Sequence, residues 1–208
     1  MDENKQKLLR QFLESLLFEG WTESNLKNSA AELKFPEGYL NVLFSGGLAE
    51  FTLYFANLVE EEYKKRAVEV VSADAKLKQK ATGLMMLKLR LYQEKLITHE
   101  GFKKFISYFF NPANMLSGLM GVYNFADDSW HLLSDKSTDF SFYTKRLSFG
   151  AIYAKAAIYA LNDESENLEN TEKFIERRID ELMKFGKLKQ KFNNLTEKLG
   201  LKKWQAIT

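Results

Sequence analysis

The chain has 208 residues, with 30 Lys plus Arg against 28 Asp plus Glu, and a formal charge of +2 excludes a globally basic nucleic-acid coat. Hydrophobic residues at 45% and aromatics at 14% suffice for a sizeable core in one domain, so disorder is not the default state. Cysteine is absent, which removes disulfides, thiol catalysis, zinc ribbons and iron–sulfur ligation, and leaves metal chemistry only His99 and His131 among the soft ligands.

The elements follow from apolar spacing. Pro occurs only at positions 36 and 112, apolar residues recur at helical intervals, and no segment sustains the alternation of a strand; the expected fold class is all-α, with about ten helices. The first helix carries Leu8, Leu9, Phe12, Leu13, Leu16 and Leu17 on one face and should stop at Gly20. Thr22 is placed to cap a second helix with Leu26, Ala30 and Leu33 inward, and a short third helix is expected from about Gly38 to Phe44. A fourth runs from near Leu48 into the charged stretch Glu60 to Arg66. Further helices are expected over about Ala75 to Leu96, Glu100 to Phe110, a segment through Met115, Leu119, Val122 and Phe125 after the break at Asn111-Pro112, and a long helix from a cap at Ser137-Thr138-Asp139 to near Leu161. Asn170-Thr171 starts another, which Gly186 is expected to separate from a terminal lysine-rich helix. The segmentation is therefore 1–47, a core over 48–185, and 186–208. No segment approaches the roughly 18 consecutive apolar residues of a membrane span, and Met1-Asp2-Glu3-Asn4 lacks a basic end and an apolar run, so the chain is expected to be soluble or peripheral and not secreted.

The arrangement of helices within residues 5 to 45, followed by a long helix, is the layout of a TetR-type helix-turn-helix module. A DNA reader must neutralise phosphates with Lys and Arg and offer base-reading side chains on the third helix. Residues 19 to 50 instead hold Glu19, Glu23, Glu32, Glu37 and Glu50 against Lys27 and Lys34, a local charge of −3, and residues 37–44 contain no basic side chain. A scaffold without nucleic-acid binding is the expectation.

At the other end, seven lysines between Lys184 and Lys203 face the single Glu197, a local charge of +6. Phe185, Leu188, Phe192, Leu195 and Leu199 recur every three or four residues, interleaved with Lys187 and Lys191 and followed by Trp204. Such a helix can lie on an anionic bilayer or dock on protein; the bilayer is preferred because Gly186 can uncouple the segment from the core.

The middle of the chain is rich in Met and aromatics. Leu84, Met85, Leu87, Leu91, Phe109, Met115, Leu119, Met120, Phe149 and Tyr153 either pack an ordinary core or line an adaptable lipid cavity, since thioethers and flat rings close around a chain of variable shape. Asp139, Phe142, Tyr143 and Arg146 fall within one arc of a helix at about 100° per residue, which suits either an internal network or a partner-binding patch. Catalytic patterns are missing: there is no Glu-x-x-His pair, His-Glu-x-x-His motif, Gly-x-Gly-x-x-Gly, Walker loop or Gly-x-Ser-x-Gly elbow, so no cofactor and no enzyme activity are expected. His99 stands at a helix start, and His131 beside Trp130 reads as packing or interface.

The run from Trp130 through Asp135, Ser137-Thr138-Asp139-Phe140 and Phe142-Tyr143-Thr144-Lys145-Arg146, continued by Asp163-Glu164-Ser165, Asn170-Thr171 and Arg177-Arg178-Ile179, resembles the ubiquinone-biosynthesis accessory proteins of the TetR-like lipid-binding family. The similarity is strong over about residues 127 to 182. Departures include Phe142 where the family usually has Trp, and Ser129 where it has Met. The resemblance implies a TetR-like fold without DNA binding, usually a homodimer, that holds an isoprenoid lipid or quinone precursor. It also implies a membrane-touching C-terminal helix and a docking face for the di-iron demethoxyubiquinone hydroxylase, here Asp139, Phe142, Tyr143 and Arg146 with Trp130 opening the run. The implied location is the inner face of a bacterial membrane, or the mitochondrial matrix side after processing.

Overall fold

The computed structural model describes residues 2–72, 74–133 and 140–198, with backbone alone at 140–142 and 185–198. Helix α1 (Asp2–Glu19) ends where Gly20 takes a φ of +72°, and α2 (Glu23–Glu32) begins under the Thr22 hydroxyl, which accepts from the Asn25 N–H at 3.1 Å. Both boundaries follow the expected cap chemistry. The short α3 (Tyr39–Leu43) leads through Ser45 and Gly46 into α4 (Gly47–Ser72), and Gly47 at φ +57° makes the corner. Next come α5 (Leu77–Lys95) and α6 (His99–Tyr108), then α7 (Pro112–Leu132), with Pro112 in its first turn and the Asn111 side chain accepting from the Ala113 N–H at 3.0 Å. Helix α8 (Phe140–Ala160), a single 3₁₀ turn at Glu166–Leu168 and α9 (Glu169–Lys198) complete the described chain, which among these residues contains no strand. The all-α expectation holds.

One expected boundary does not. Helix α9 runs through Gly186 without interruption, because a lone glycine inside a long helix costs only about 1 kcal/mol and is tolerated when its neighbours are strong helix formers. The terminal segment is thus a continuation of α9 as far as Lys198, and no break separates it from residues 169–185.

Two stretches of core are strung along α4. The amino-terminal stretch centres on Trp21, whose ring meets Phe12 at 4.9 Å, Phe105 at 4.8 Å and Phe55 at 5.2 Å, while its Nε1–H donates to Thr52 Oγ1 at 2.8 Å. Large aromatic area is buried with its one polar group satisfied. Farther along α4, Val59 and Tyr63 pack with Leu84, Met85 and Leu89 of α5, Phe125 of α7, and Phe149 and Tyr153 of α8, all buried. Inside this second stretch lies an ion pair: Lys88 of α5, 4% exposed, bonds Glu60 of α4, with its ammonium 4.9 Å from the Tyr63 ring centre. Burial pulls the Lys88 ammonium below the ordinary lysine range, against the pull of Glu60. The Tyr63 hydroxyl bonds Ser129 Oγ of α7 at 3.0 Å, so one polar seam ties α4, α5 and α7.

Candidate functional site

Helices α7 and α8 pack along each other and carry the partner residues expected from sequence. They do not share one surface. Tyr143 is 59% exposed, whereas Arg146, three residues on, is 1% exposed and forms an ion pair with Asp127 of α7. An arc roughly 100° wide spans the edge of a helix that is half sunk in its neighbours, so spacing put both residues on one side without deciding which of them crosses into the core. Arg146 is therefore a clamp between α7 and α8 and not part of an open patch. Asp127 also faces His131 Nε2 at 3.4 Å, on the exposed side of α7. Trp130 is half-buried, edge-to-face with Phe149 at 5.9 Å, with the Lys145 ammonium 5.6 Å from its ring centre. Asp139 and the side chain of Phe142 lie outside the described residues.

The ten residues expected to line a lipid cavity divide. Leu84, Met85, Leu91, Phe149 and Tyr153 are buried in the core, Leu87 and Phe109 are half-buried, and Met115, Leu119 and Met120 stand 52–59% exposed on α7. A hollow of about 380 Å³ lies between Phe18, Trp21, Lys104 and Asn111, and one of about 430 Å³ between Gln93, His99, Asp163 and Leu168; neither involves the ten. Helical periodicity marks an apolar face whether that face meets protein or solvent, which is why the set looked uniform. The membrane set, Phe185, Lys187, Leu188, Lys191, Phe192, Leu195, Leu199 and Trp204, falls on residues whose side chains lie outside the description.

Two polar arrangements went unread in the sequence. Asp163, buried in the α8–α9 connection, accepts from Ser165 N–H (3.0 Å) and Oγ–H (2.6 Å) and from Thr171 N–H (2.7 Å) and Oγ1–H (2.6 Å). Burial opposes ionisation, but these four donors hold its carboxyl down at about 2. The spacing Asp163-x-Ser165 and the following Thr171 were the available signal. At the start of α4, Glu23 accepts from the Leu48 N–H at 3.0 Å, and Glu50 accepts from the Gly46 N–H at 2.9 Å and the Ser45 hydroxyl at 3.2 Å. The Gly46 bond foremost holds the Glu50 carboxyl below its ordinary range. Free N–H groups at a helix start attract phosphate; here the protein's own carboxylates occupy the place. His99 is likewise satisfied internally, Nε2 donating to the Leu161 carbonyl at 2.9 Å and Nδ1 accepting from the Gln93 amide at 3.2 Å. Among the described residues no group of three His, Asp or Glu side chains is arranged around a metal position, and no helix is long and apolar enough to cross a membrane.

Residues 115–186, which comprise most of α7, all of α8 and the first half of α9, match the COQ9 family model. This segment is COQ9-like. Beyond it the similarity spreads over most of the chain: the "Probable ubiquinone biosynthesis protein coq9, mitochondrial" of Dictyostelium discoideum is 27% identical over 203 residues, covering 96% of this chain and 65% of that protein. The human "Ubiquinone biosynthesis protein COQ9, mitochondrial" is 27% identical over 191 residues, covering 88% of this chain and 58% of its own length. The chain thus spans about three-fifths of the length of these curated relatives. A Schizosaccharomyces pombe coq9 protein reaches 37% identity over 68 residues, a third of the chain. Among solved structures, a TetR transcriptional regulator from Nitrosomonas europaea aligns with a TM-score of 0.62 at 13% identity, over 86% of this chain and 97% of that one. The TetR-like fold is thereby established, and the resemblance read from Trp130 to Arg146 stands within a wider COQ9-like segment.

Proposed function

We propose that this chain is a non-catalytic, lipid-binding accessory protein of ubiquinone biosynthesis, which holds an isoprenoid quinone intermediate at a membrane and presents it to a di-iron demethoxyubiquinone hydroxylase. The observation that carries the reading is the COQ9-like segment 115–186, set on a TetR-like frame whose DNA-facing end is self-neutralised. A transcription regulator would need the start of α4 and the short α3 to meet phosphates, and that region presents carboxylates already bonded to its own backbone. The flexible Met85 and Met86 beside Leu84 and Phe149 supply walls that can part around a prenyl chain. Exposed apolar side chains on the last two helices, Leu147 and Ile158 on α8 and Leu182 and Met183 on α9, support a homodimer. The mitochondrial relatives support a matrix-side location, and a bacterial inner membrane remains the counterpart in a prokaryotic host.

Two measurements test this. Lipids extracted from the purified protein should contain a quinone precursor or another isoprenoid by mass spectrometry; empty extracts would count against lipid binding. Tyr143 stands exposed on α8, so Tyr143→Lys should leave thermal melting nearly unchanged while weakening capture of the hydroxylase about thirtyfold, the loss of an interface anchor of about 2 kcal/mol. A variant that melts like the parent and still captures the hydroxylase would overturn the docking role. Nanomolar, sequence-dependent binding to duplex DNA at physiological salt would return the chain to the regulators.

A further inference from the structure

Residues 105–126 contain no charged side chain, the longest such run in a chain that is 28% Asp, Glu, Lys and Arg. Part of the run is core, since Phe105 and Phe125 are buried. The rest faces outward: Phe110, Met115, Leu116, Leu119, Met120 and Tyr123 are 41–68% exposed. The five on α7 fall within an arc about 140° wide at about 100° per residue, so they form one continuous apolar face. Contiguous faces of this kind on a soluble fold mark contact with protein or with lipid.

The polar groups along the face decide between these. A protein interface carries about one hydrogen bond per 100–200 Å². Here Ser117 Oγ–H donates to the Asn114 carbonyl at 2.7 Å, the Asn114 amide donates to the Tyr108 carbonyl at 3.1 Å, and the Asn111 side chain is spent on the Ala113 N–H. Apart from the Tyr123 hydroxyl, these polar groups are turned onto the protein's own backbone, and the area they leave suits a featureless apolar solvent. The charges at its two ends are engaged elsewhere. At the amino-terminal end Lys104 shares a hollow with Glu19, Asn111 and the 89% exposed Phe18, and Glu19 accepts from the Asn28 amide at 2.7 Å; at the other end Asp127 pairs with Arg146 and Asp128 with Lys64 at 3.3 Å. Each of these acids has a partner inside the protein, and the face between the two ends is uncharged.

We infer that the α7 face is a bilayer-contact surface in its own right, with Leu116 and Met120 entering the acyl boundary, Tyr123 and Phe110 at the headgroup level and Lys104 on anionic headgroups. It extends the membrane reading proposed above to a surface that does not depend on the basic terminal segment. Lying on the bilayer, α7 brings lipid against the helix that packs on both α4 and α8, beside the Met-rich core.

The chain has no cysteine, so single labels can be placed on the full-length protein. A polarity-sensitive fluorophore would be attached at Leu116→Cys, at Leu188→Cys in the terminal segment and at Lys173→Cys on α9 as a control, with vesicles of phosphatidylcholine and phosphatidylglycerol as the probe. The label at 116 should shift to the blue, become shielded from aqueous iodide and be quenched by brominated lipid, while the label at 173 stays aqueous. A label at 116 that stays aqueous while that at 188 is quenched overturns the α7 surface and leaves the terminal segment as the contact. The reverse pattern supports α7 and overturns the terminal segment, and two aqueous labels overturn both. Shielding at 116 without vesicles assigns the face to protein and also overturns the inference. The double variant L116E/M120E should cut vesicle partitioning at least about tenfold with melting unchanged, because both side chains are more than half exposed; unchanged partitioning would count against the surface.

Discussion

In the amino-terminal module four of the five acids between residues 19 and 50 have partners inside the protein: Glu19 receives the Asn28 amide, Glu32 the Gln11 amide, Glu23 the Leu48 N–H and Glu50 the Gly46 N–H. The first half of α7 is the reverse case, with Asn114 and Ser117 bonded to backbone carbonyls and Met115, Leu116, Leu119 and Met120 left outside. The module keeps the shape of a DNA-binding unit while its acids are bonded within the protein, whereas α7 exposes Leu116, Leu119 and Met120. On the reading proposed above, the fold is retained as a frame while the place where it meets other molecules lies on a different element.

The sharpest way to break this contrast is to truncate one large apolar side chain in each region. Trp21 is 5% exposed and joins α1, α4 and α6 through four ring contacts and the bond to Thr52. Trp21→Ala should cost about 3–5 kcal/mol in denaturant unfolding, from lost transfer energy and an unfilled cavity. Leu119→Ala on α7 should change stability by less than about 0.5 kcal/mol, because the side chain is already 55% exposed. Equal losses would mean that α7 is buried in the working protein and that the two regions differ less than argued.

Asp163 sharpens the contrast from the COQ9-like half, where a carboxylate captured by the backbone is buried instead of exposed. Its carboxyl titrates at about 2 in the folded protein against 3.8 as an ordinary aspartate. A lowered folded pKa gives stability that is fully present above the ordinary value and is lost as pH falls from about 4 through about 2. Asp163→Asn should therefore cost on the order of 2 kcal/mol at neutral pH and flatten the acid limb of a stability profile between those values. A variant with the parent's acid limb would show that the Ser165 and Thr171 bonds do not act through charge.

How much of this was legible before any coordinates depends on whether the decisive interaction was local. Gly20, Thr22, Asn111 and Pro112 announce helix ends through short-range backbone chemistry, and each boundary fell where that chemistry placed it. Arg146 was misread because its direction depends on Asp127, nineteen positions earlier on another helix. The Lys88–Glu60 pair, 28 residues apart, has no local signature at all. The same limit split the expected lipid set, since the period of α7 says where a face lies but not what covers it. Gly186 shows the converse error: a local helix-ending signal was overridden by the flanking helix formers.

The smallest effect tests the claim that Glu23 fills an anion position at the start of α4. Its carboxylate accepts from the Leu48 N–H and lies so close to Gly47 that an added Cβ there would sit 3.3 Å from both of its oxygens. A carboxylate near a helix start contributes typically about 0.5 kcal/mol through the helix dipole, more at low salt and less as salt screens it. Glu23→Gln keeps the shape and one acceptor while removing the charge, so melting should fall slightly at low ionic strength and converge on the parent at high ionic strength. If the charge also keeps phosphate away, the Glu23→Gln/Glu50→Gln variant should gain weak, salt-sensitive retention of duplex DNA without sequence preference, because removing two negative charges takes the balance over residues 19 to 50 from −3 to −1. A variant with no change in DNA retention and no salt-dependent loss of stability would mean that these carboxylates are ordinary surface charges, and the expectation that the module does not bind DNA would then rest on the uncharged α3 alone.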